Sequence, residues 1–174
     1  PVIPGGCGLE IGAGTGQFSV PCGVRYALDP AIDMLRAAQT RGLLVVQGLG
    51  ENLPFLDESF DFVQIIFVIE FIDNLLLFLG EAARTIRRNG ALILGFIDRD
   101  SPWGRYYARD PSHRRYFHPP SPEEILGIFS QIGLEFRKAL QTLFQPPPDL
   151  SEKENPEPGF GRGGFVVLMA TKGQ

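Results

Sequence analysis

Residues 7–18 read C-G-L-E-I-G-A-G-T-G-Q-F, and the rest of the chain can be interpreted outward from this stretch. It begins as a short apolar strand ending at Glu10 and continues into a turn with glycine at every second position. Glycine is used in this way where backbone passes close to a ligand or adopts a positive φ, because a Cβ would obstruct both. The stretch therefore predicts a strand, a ligand-binding loop at Gly12, Gly14 and Gly16, and a helix whose free N–H groups face the ligand.

Two classes of cofactor-binding protein place a glycine-rich loop after a strand, and the spacing of the glycines separates them. A dinucleotide-binding loop reads G-x-G-x-x-G, and its third glycine lets the helix pack closely on the strand. Here that third position is Gln17, one residue after a glycine. The pattern is instead E-x-G-x-G-x-G, which resembles the first motif of class I S-adenosylmethionine-dependent methyltransferases. The resemblance implies that S-adenosylmethionine is the cofactor and that Glu10 helps to hold its amino group. The loop beneath the methionine part of the cofactor would comprise Gly12, Ala13, Gly14, Thr15 and Gly16.

Two later segments agree with the same family. Asp29-Pro30 follows the second predicted strand, where a carboxylate can accept hydrogen bonds from both hydroxyls of a ribose, and the family has its ribose ligand there. Asp29 could also be the N-cap of the next helix with Pro30 as its first residue, and the two roles are compatible. Residues 48–55 read G-L-G-E-N-L-P-F and resemble the family's adenine segment, G-D-A-E-x-L-P-F. Leu49 replaces the aspartate, so adenine contacts would depend on backbone near Leu49 and Gly50 and on apolar packing, with Glu51 beside them.

The nearly continuous apolar run at 62–68 predicts a central parallel strand. Ligands of open α/β sheets bind beyond the carboxyl ends of the strands. The side chains expected near the transferred methyl group are Phe67, Val68, Glu70 and Phe71. The family often has two histidines at positions 70 and 71. Glu70 is a candidate general base or substrate contact, and the alternative is a surface carboxylate that caps the next helix.

Residues 98–122 are the least generic part of the chain, with the only tryptophan, three of the four tyrosines and both histidines. In the family, the insertion after the fifth strand often builds the substrate side of the pocket, where aromatic side chains can enclose a substrate and arginines can bind a carboxylate or phosphate. The alternative is a helical lid whose aromatic residues pack on the core. No third ligand accompanies the histidines at a known metal-site spacing, so no metal is expected. The candidate substrate contacts are Phe71, Trp103, Tyr106, Tyr107 and His113.

The resemblance implies an α/β fold, a Rossmann-like three-layer sandwich with a seven-stranded, mostly parallel sheet whose last strand is antiparallel. One methyltransferase domain would span residues 1–174, and the family implies further helices upstream that help to cover the cofactor. The predicted strands are 6–11, 24–28, 43–47, 62–68, 91–97, 134–144 and 165–171. The predicted helices are a short one after the glycine loop, then 31–41, 75–88 and 122–131, and residues 145–164 are predicted as a surface excursion.

Composition narrows the range of partners. A net charge of −4 gives no electrostatic reason to expect nucleic acid, and the N-P-P-Y type motif of methylases acting on nucleic-acid amino groups is absent from the sequence. The apolar run at 62–71 is far shorter than the ~20 residues of a membrane span. Two cysteines without metal-ligand spacing are typical of a reducing cytoplasm.

The sequence therefore predicts a cytoplasmic enzyme that methylates a small molecule by direct in-line displacement, for which no covalent catalyst is required. Three alternatives stay open at this point. They are a non-catalytic S-adenosylmethionine-binding or regulatory module, an NAD(P)-dependent Rossmann oxidoreductase, and a related S-adenosylmethionine-binding fold with different chemistry.

Overall fold

The computed structural model describes residues 4–110, 115–147 and 153–173. In these ranges the strands are β1 (Gly8–Ile11), β2 (Tyr26–Asp29), β3 (Leu44–Gln47), β4 (Phe60–Ile66), β5 (Ile86–Ile97), β6 (Leu134–Thr142), β7 (Glu157–Pro158) and β8 (Phe165–Lys172). The helices are α1 (Ile32–Thr40), α2 (Leu75–Thr85), α3 (Pro102–Arg109) and α4 (Pro122–Gln131), and a 3-10 turn lies at Ile69–Phe71.

The strands form one sheet in the order β3-β2-β1-β4-β5-β8-β6-β7. The first five strands along the chain pair in parallel, and β8 lies antiparallel between β5 and β6. This confirms the predicted mostly parallel sheet with an antiparallel last strand. The described residues contain eight strands rather than seven, because residues 157 and 158 of the expected surface excursion pair with β6. The strand order reverses between β1 and β4, and open α/β sheets bind ligands at such a reversal.

Helices cover both faces of the sheet, as a three-layer sandwich requires. Alternate residues of β5 face opposite sides, so Leu92 packs in the main core with α2 and α4, whereas Ile93 packs in a smaller cluster with Val24. On this second face α1 packs through Ala38 against Ala27 of β2. This alternation is the normal consequence of strand geometry.

The helix expected after the glycine loop is not formed, and residues 14–23 make successive turns instead. Gly14 and Gly16 have φ values of 53° and 77°, which a right-handed helix cannot contain. Pro21 lacks a backbone N–H, and too few residues lie between these positions to propagate a helix. The prediction of a helix N-terminus facing the ligand was therefore wrong.

Several further element ends differ from the prediction, and β4 spans Phe60–Ile66 instead of 62–68. Helix α2 ends at Thr85 rather than at 88, and the chain enters β5 directly. Arg87 therefore lies in β5 and pairs with Asp61 of β4 at 2.8 Å. Asn89 has a left-handed φ of 61° within the irregular first part of β5. Strand β6 ends at Thr142, two residues before the predicted boundary.

Within the described ranges, no helix combines the length and the apolar character that crossing a bilayer would need.

The start of α3 gives a stability prediction. Gly104 donates its N–H to Ser101 Oγ at 2.9 Å, and a Cβ on Gly104 would overlap the carbonyl oxygens of Asp98 and Arg99. Because backbone atoms cannot rotate away, Gly104→Ala is expected to lower the free energy of unfolding by about 2 kcal/mol. Gly127 in α4 has open space around it, so Gly127→Ala should raise that free energy by about 0.5–1 kcal/mol. Chemical denaturation of the two variants compares them, and effects of the same sign would contradict the packing argument.

Candidate functional site

A cleft of about 320 Å³ opens at the carboxyl ends of β1, β2 and β4, where the strand order reverses. Most of its lining is apolar. Of the residues predicted from the sequence to contact the cofactor or substrate, the cleft is lined by Gly12, Asp29, Pro30, Leu49, Gly50, Glu51, Phe67 and Phe71. The remaining loop residues, Ala13, Gly14, Thr15 and Gly16, follow Gly12 directly. Residues from four separate segments of the sequence therefore meet at this cleft.

The three glycines of the loop all have positive φ, but they differ in what surrounds them. A Cβ at Gly12 would overlap the Val68 side chain, and one at Gly16 would overlap Leu43. Gly14 has nothing within 4 Å of the position that a Cβ would take. The first and last glycines are therefore required by packing within the protein, whereas Gly14 leaves open space beside the backbone, as a ligand-cradling loop does.

Asp29 links the glycine loop to the end of β2. Its Oδ2 accepts the N–H of Gly14 and its Oδ1 accepts the N–H of Ala31, each at 2.8 Å. The carboxylate lines the cleft and is only 8% exposed. Helix α1 begins after Ala31, so the prediction of Asp29 as N-cap with Pro30 as the first helical residue was wrong. Each carboxylate oxygen keeps a lone pair, so the anchored group can still accept two hydroxyls.

Leu49 forms the outer edge of the cleft and is 60% exposed. Gly50 next to it is buried against Phe78 of α2, where a Cβ would overlap the ring. The segment that follows is fixed to α2, because Leu53 donates its N–H to Glu81 at 3.0 Å and Glu81 pairs with Arg84 at 2.8 Å. A flat apolar group could rest between the Leu49 side and the floor of the cleft.

Glu10 lies beneath the loop and is not part of the cleft lining. Its side chain is buried and accepts hydrogen bonds from Ser19 Oγ and, at 3.0 Å, from Gln64 Nε2. Burial raises the pKa of this carboxyl, and the two hydrogen bonds oppose that shift. The structure thus places Glu10 as an anchor of the turn that carries Ser19, and it does not bring its carboxylate to the ligand position expected from the resemblance.

Glu70 is the largest departure from the sequence-based expectation. It is 0% exposed, so the alternative of a surface carboxylate that caps the next helix was wrong. It lines neither the cleft nor the second cavity, so the structure does not bring its carboxylate to a position that faces a ligand. Its Oε1 accepts the N–H of Ile97 at 2.9 Å. Burial raises the pKa of its carboxyl from 4.5 to about 7, although backbone hydrogen bonds from Ile97 and from Glu70 itself oppose the shift.

Phe67 is one of a few non-glycine residues with a left-handed φ, here 56°. It lies directly after β4, with its ring 5.9 Å from that of Phe18 and 4.7 Å from that of Phe165. Unusual backbone of this kind often accompanies functional sites. Neither contact was predicted from the sequence. Phe165 reaches Phe67 only because β8 pairs with β5 at this end of the sheet.

A second cavity of about 500 Å³ adjoins the cleft, and Ile72 lines both. Its wall is formed by the start of α2, by α3 and by residues 117–120. The charged groups at its surface are Asp73 and an ion pair between Arg99 and Glu124 with an N–O distance of 3.0 Å. Neither this cavity nor the role of Ile72 could be predicted from a local motif, since its lining comes from elements far apart in sequence.

Aromatic side chains of the segment 98–122 form a series of ring contacts between the second cavity and α3. Phe117 lies 5.6 Å from Phe71 and 5.4 Å from Tyr107, measured between ring centroids. Trp103 is buried and donates its indole N–H to Gln145 O at 2.8 Å, so its predicted substrate contact is replaced by an anchoring role. Tyr106 lines a separate surface pocket with Arg105 and does not reach the cleft. His113 lies outside the described residues.

In the part of the chain that the structure describes, no three His, Cys, Asp or Glu side chains are grouped where they could hold a metal ion.

A mostly parallel α/β sheet, a loop of three positive-φ glycines after its first strand and an acidic residue ending its second are typical of the S-adenosylmethionine-dependent methyltransferases. The chain matches the methyltransferase-domain family over residues 9–94. A solved S-adenosylmethionine-dependent methyltransferase of Thermotoga maritima, described as a possible histamine N-methyltransferase, is 40% identical, with a TM-score of 0.92 over 98% of this chain and 84% of that one. The chain belongs to the class I S-adenosylmethionine-dependent methyltransferases.

Two curated relatives are similar over most of this chain. An uncharacterised protein of Methanocaldococcus jannaschii is 38% identical over 173 residues, which is 98% of this chain and 84% of the relative. A malonyl-[acyl-carrier protein] O-methyltransferase of Herminiimonas arsenicoxydans is 28% identical over 143 residues, which is 78% of this chain and 55% of the relative.

Proposed function

We propose that this protein transfers a methyl group from S-adenosylmethionine, bound in the cleft, to a small-molecule acceptor bound in the second cavity. The observation that carries the proposal is the shared wall, because Ile72 lines both spaces and Phe71 stands beside it in the cleft. The methyl donor and the acceptor must lie within contact distance of each other. Two adjoining cavities, a mostly apolar cleft and a second cavity with charged groups on its wall, can hold one ligand each in this way.

The residues present fit the cofactor. Asp29, held by two backbone N–H groups, would accept the ribose hydroxyls, and the open space beside Gly14 would receive the methionine part. The apolar surface between Leu49 and Phe78 would accommodate adenine. When bound, S-adenosylmethionine supplies a methyl group on a positively charged sulfur, which an acceptor atom can take by in-line displacement.

The protein's own contribution is positioning and exclusion of water. Phe67 and Phe71 stand at the end of the cleft near the shared wall, 40% and 55% exposed, where bound ligands would cover them. A dry, aligned site favours a displacement in which charge at sulfur disappears. If the acceptor must lose a proton, His118 or Asp73 on the wall of the second cavity could take it.

The wall of the second cavity favours a compact acceptor with an apolar body and an amine. It combines Leu75 and Phe117 with two carboxylates, Asp73 and Glu124, against one guanidinium, Arg99. The Thermotoga relative is described as a possible histamine N-methyltransferase, which makes imidazole-amines the first acceptors to test. The protein's negative charge supports a small molecule over a nucleic acid.

Parallel calorimetric titrations with S-adenosylmethionine, S-adenosylhomocysteine and NAD test the cofactor assignment. We expect micromolar binding of both adenosyl compounds and none of NAD, and the reverse result would overturn the proposal. A screen of amines, thiols, phenols and carboxylic acids, read out as S-adenosylhomocysteine release, then tests turnover. Tight cofactor binding without turnover in any class would favour the non-catalytic binding module.

A further inference from the structure

We propose that Glu70 is a positioning residue of this site, a neutral carboxylic acid that holds the turn between the two cavities in place. The proposed function enters only in assigning those cavities to cofactor and acceptor. The turn at Ile69–Phe71 directly follows β4 and leads to Ile72, so its position sets the wall that the cleft and the second cavity share.

Glu70 joins three segments of the chain through two hydrogen bonds. Its side-chain Oε1 accepts the N–H of Ile97, the last residue of β5, at 2.9 Å. Its backbone carbonyl accepts the N–H of His118 at 2.6 Å. The turn after β4, the end of β5 and the segment that lines the second cavity therefore meet at one residue.

The other carboxyl oxygen, Oε2, is buried and has no hydrogen-bond partner among the described residues. A charged carboxylate would leave that oxygen uncompensated and without access to water, which costs far more than burying a neutral acid. The titratable and charged side chains on the elements next to Glu70 do not offset a negative charge on its carboxylate. Asp98 follows Ile97 and burial raises its pKa too, while the residue opposite Ile97 in β8 is the uncharged Phe165. Arg99 pairs with Glu124, and His118 and Asp73 lie at the cavity surface.

Ionisation of Glu70 should therefore be relieved by opening of the turn, which admits water to the carboxylate. The Glu70 carboxyl has a pKa of about 7 in the closed form and the ordinary 4.5 when the turn is open. Linkage therefore makes the equilibrium constant for opening of the turn about tenfold larger at pH 8.5 than at pH 6. Opening of the turn displaces Phe71 and Ile72, which line the cleft. A smaller fraction of the protein molecules would then be in the form that binds the cofactor.

Hydrogen exchange of the ligand-free protein tests this directly, with wild type, Glu70→Gln and Asp33→Asn measured at pH 6 and pH 8.5. Glutamine keeps the acceptor for Ile97 but cannot ionise, and Asp33→Asn removes an exposed charge of α1 as a control. After correction for intrinsic exchange, protection of amides 69–72 and 97 in wild type should fall about tenfold more than in Glu70→Gln. Asp33→Asn should follow wild type. An equal change in wild type and Glu70→Gln would overturn the proposal.

Titration with S-adenosylhomocysteine at the same two pH values separates this inference from the proposed function. We expect the Kd of wild type to rise with pH relative to that of Glu70→Gln. If no variant binds S-adenosylhomocysteine at either pH, the proposed function fails, and the exchange result alone still decides the role of Glu70.

Discussion

Replacing Asp29 by alanine is expected to weaken binding of S-adenosylmethionine and S-adenosylhomocysteine about 100-fold, since two hydrogen bonds from the ribose to a charged group, at about 1.5 kcal/mol each, would be lost. The carboxylate is oriented for this role by Gly14 and Ala31, whose N–H groups hold its two oxygens at 2.8 Å. Isothermal titration calorimetry of the variant and of wild type at one pH measures the difference.

Two further variants control for charge and for loop structure. Asp33→Ala removes a carboxylate from the exposed face of α1, where it pairs with Arg36 at 2.7 Å, and it should leave the affinity unchanged. Asp29→Asn retains an acceptor and should lose only about tenfold, because one neutral hydrogen bond replaces a charge-assisted one. Affinity of Asp29→Ala within twofold of wild type would refute the assignment of the ribose site to this residue.

The free energy of unfolding of wild type relative to Glu70→Gln should fall by about 2.5 kcal/mol between pH 5 and pH 8. The carboxyl of Glu70 has a pKa of about 7 in the folded protein against 4.5 as its ordinary value. Because the folded-state pKa is the higher one, the folded protein retains a proton that the unfolded chain has released. The stabilising contribution is complete below pH 4.5, declines as the pH rises and is lost above about pH 7. Urea denaturation at several pH values measures this difference.

Other titrating groups act on both proteins and cancel in the comparison. Burial raises the pKa of Glu10 and of Asp98 as well, so their contributions also decline with rising pH. A hydrogen bond from Arg84 lowers the pKa of Glu81, whose contribution is lost at acid pH instead. A wild-type minus Glu70→Gln difference that stays constant across the range would show that Glu70 is charged in the folded protein.

Much of the cofactor side could be predicted from sequence because its requirements are local. The positive φ of Gly12, Gly14 and Gly16 follows from the loop that the motif describes, and Asp29 follows from its place at the end of a strand. The central parallel strand β4 was also predictable, although it spans Phe60–Ile66 instead of 62–68, since burial on both faces requires a nearly continuous apolar run.

The substrate side could not be predicted in this way. Trp103 has the chemistry of a substrate contact, yet its indole N–H is bonded to Gln145, 42 residues away in the sequence. Phe165 reaches Phe67 only because β8 is inserted antiparallel beside β5. The second cavity is lined by the start of α2, by α3 and by residues 117–120, and no local pattern records that these elements adjoin.

The motifs of the amino-acid sequence identified the class of protein by resemblance. The sequence by itself also determined most strands and helices, and it determined the glycine loop and the acidic residue at the cleft, because steric and hydrogen-bonding rules act on neighbouring residues. Only the tertiary structure decided which carboxylates face a ligand. Glu10 and Glu70 end in buried positions because Gln64 and Ile97, both more than 25 residues away along the chain, pack over them and donate to them. Burial is a property of packed elements, and it changes the protonation and the role of a carboxyl without any change in the motif that contains it.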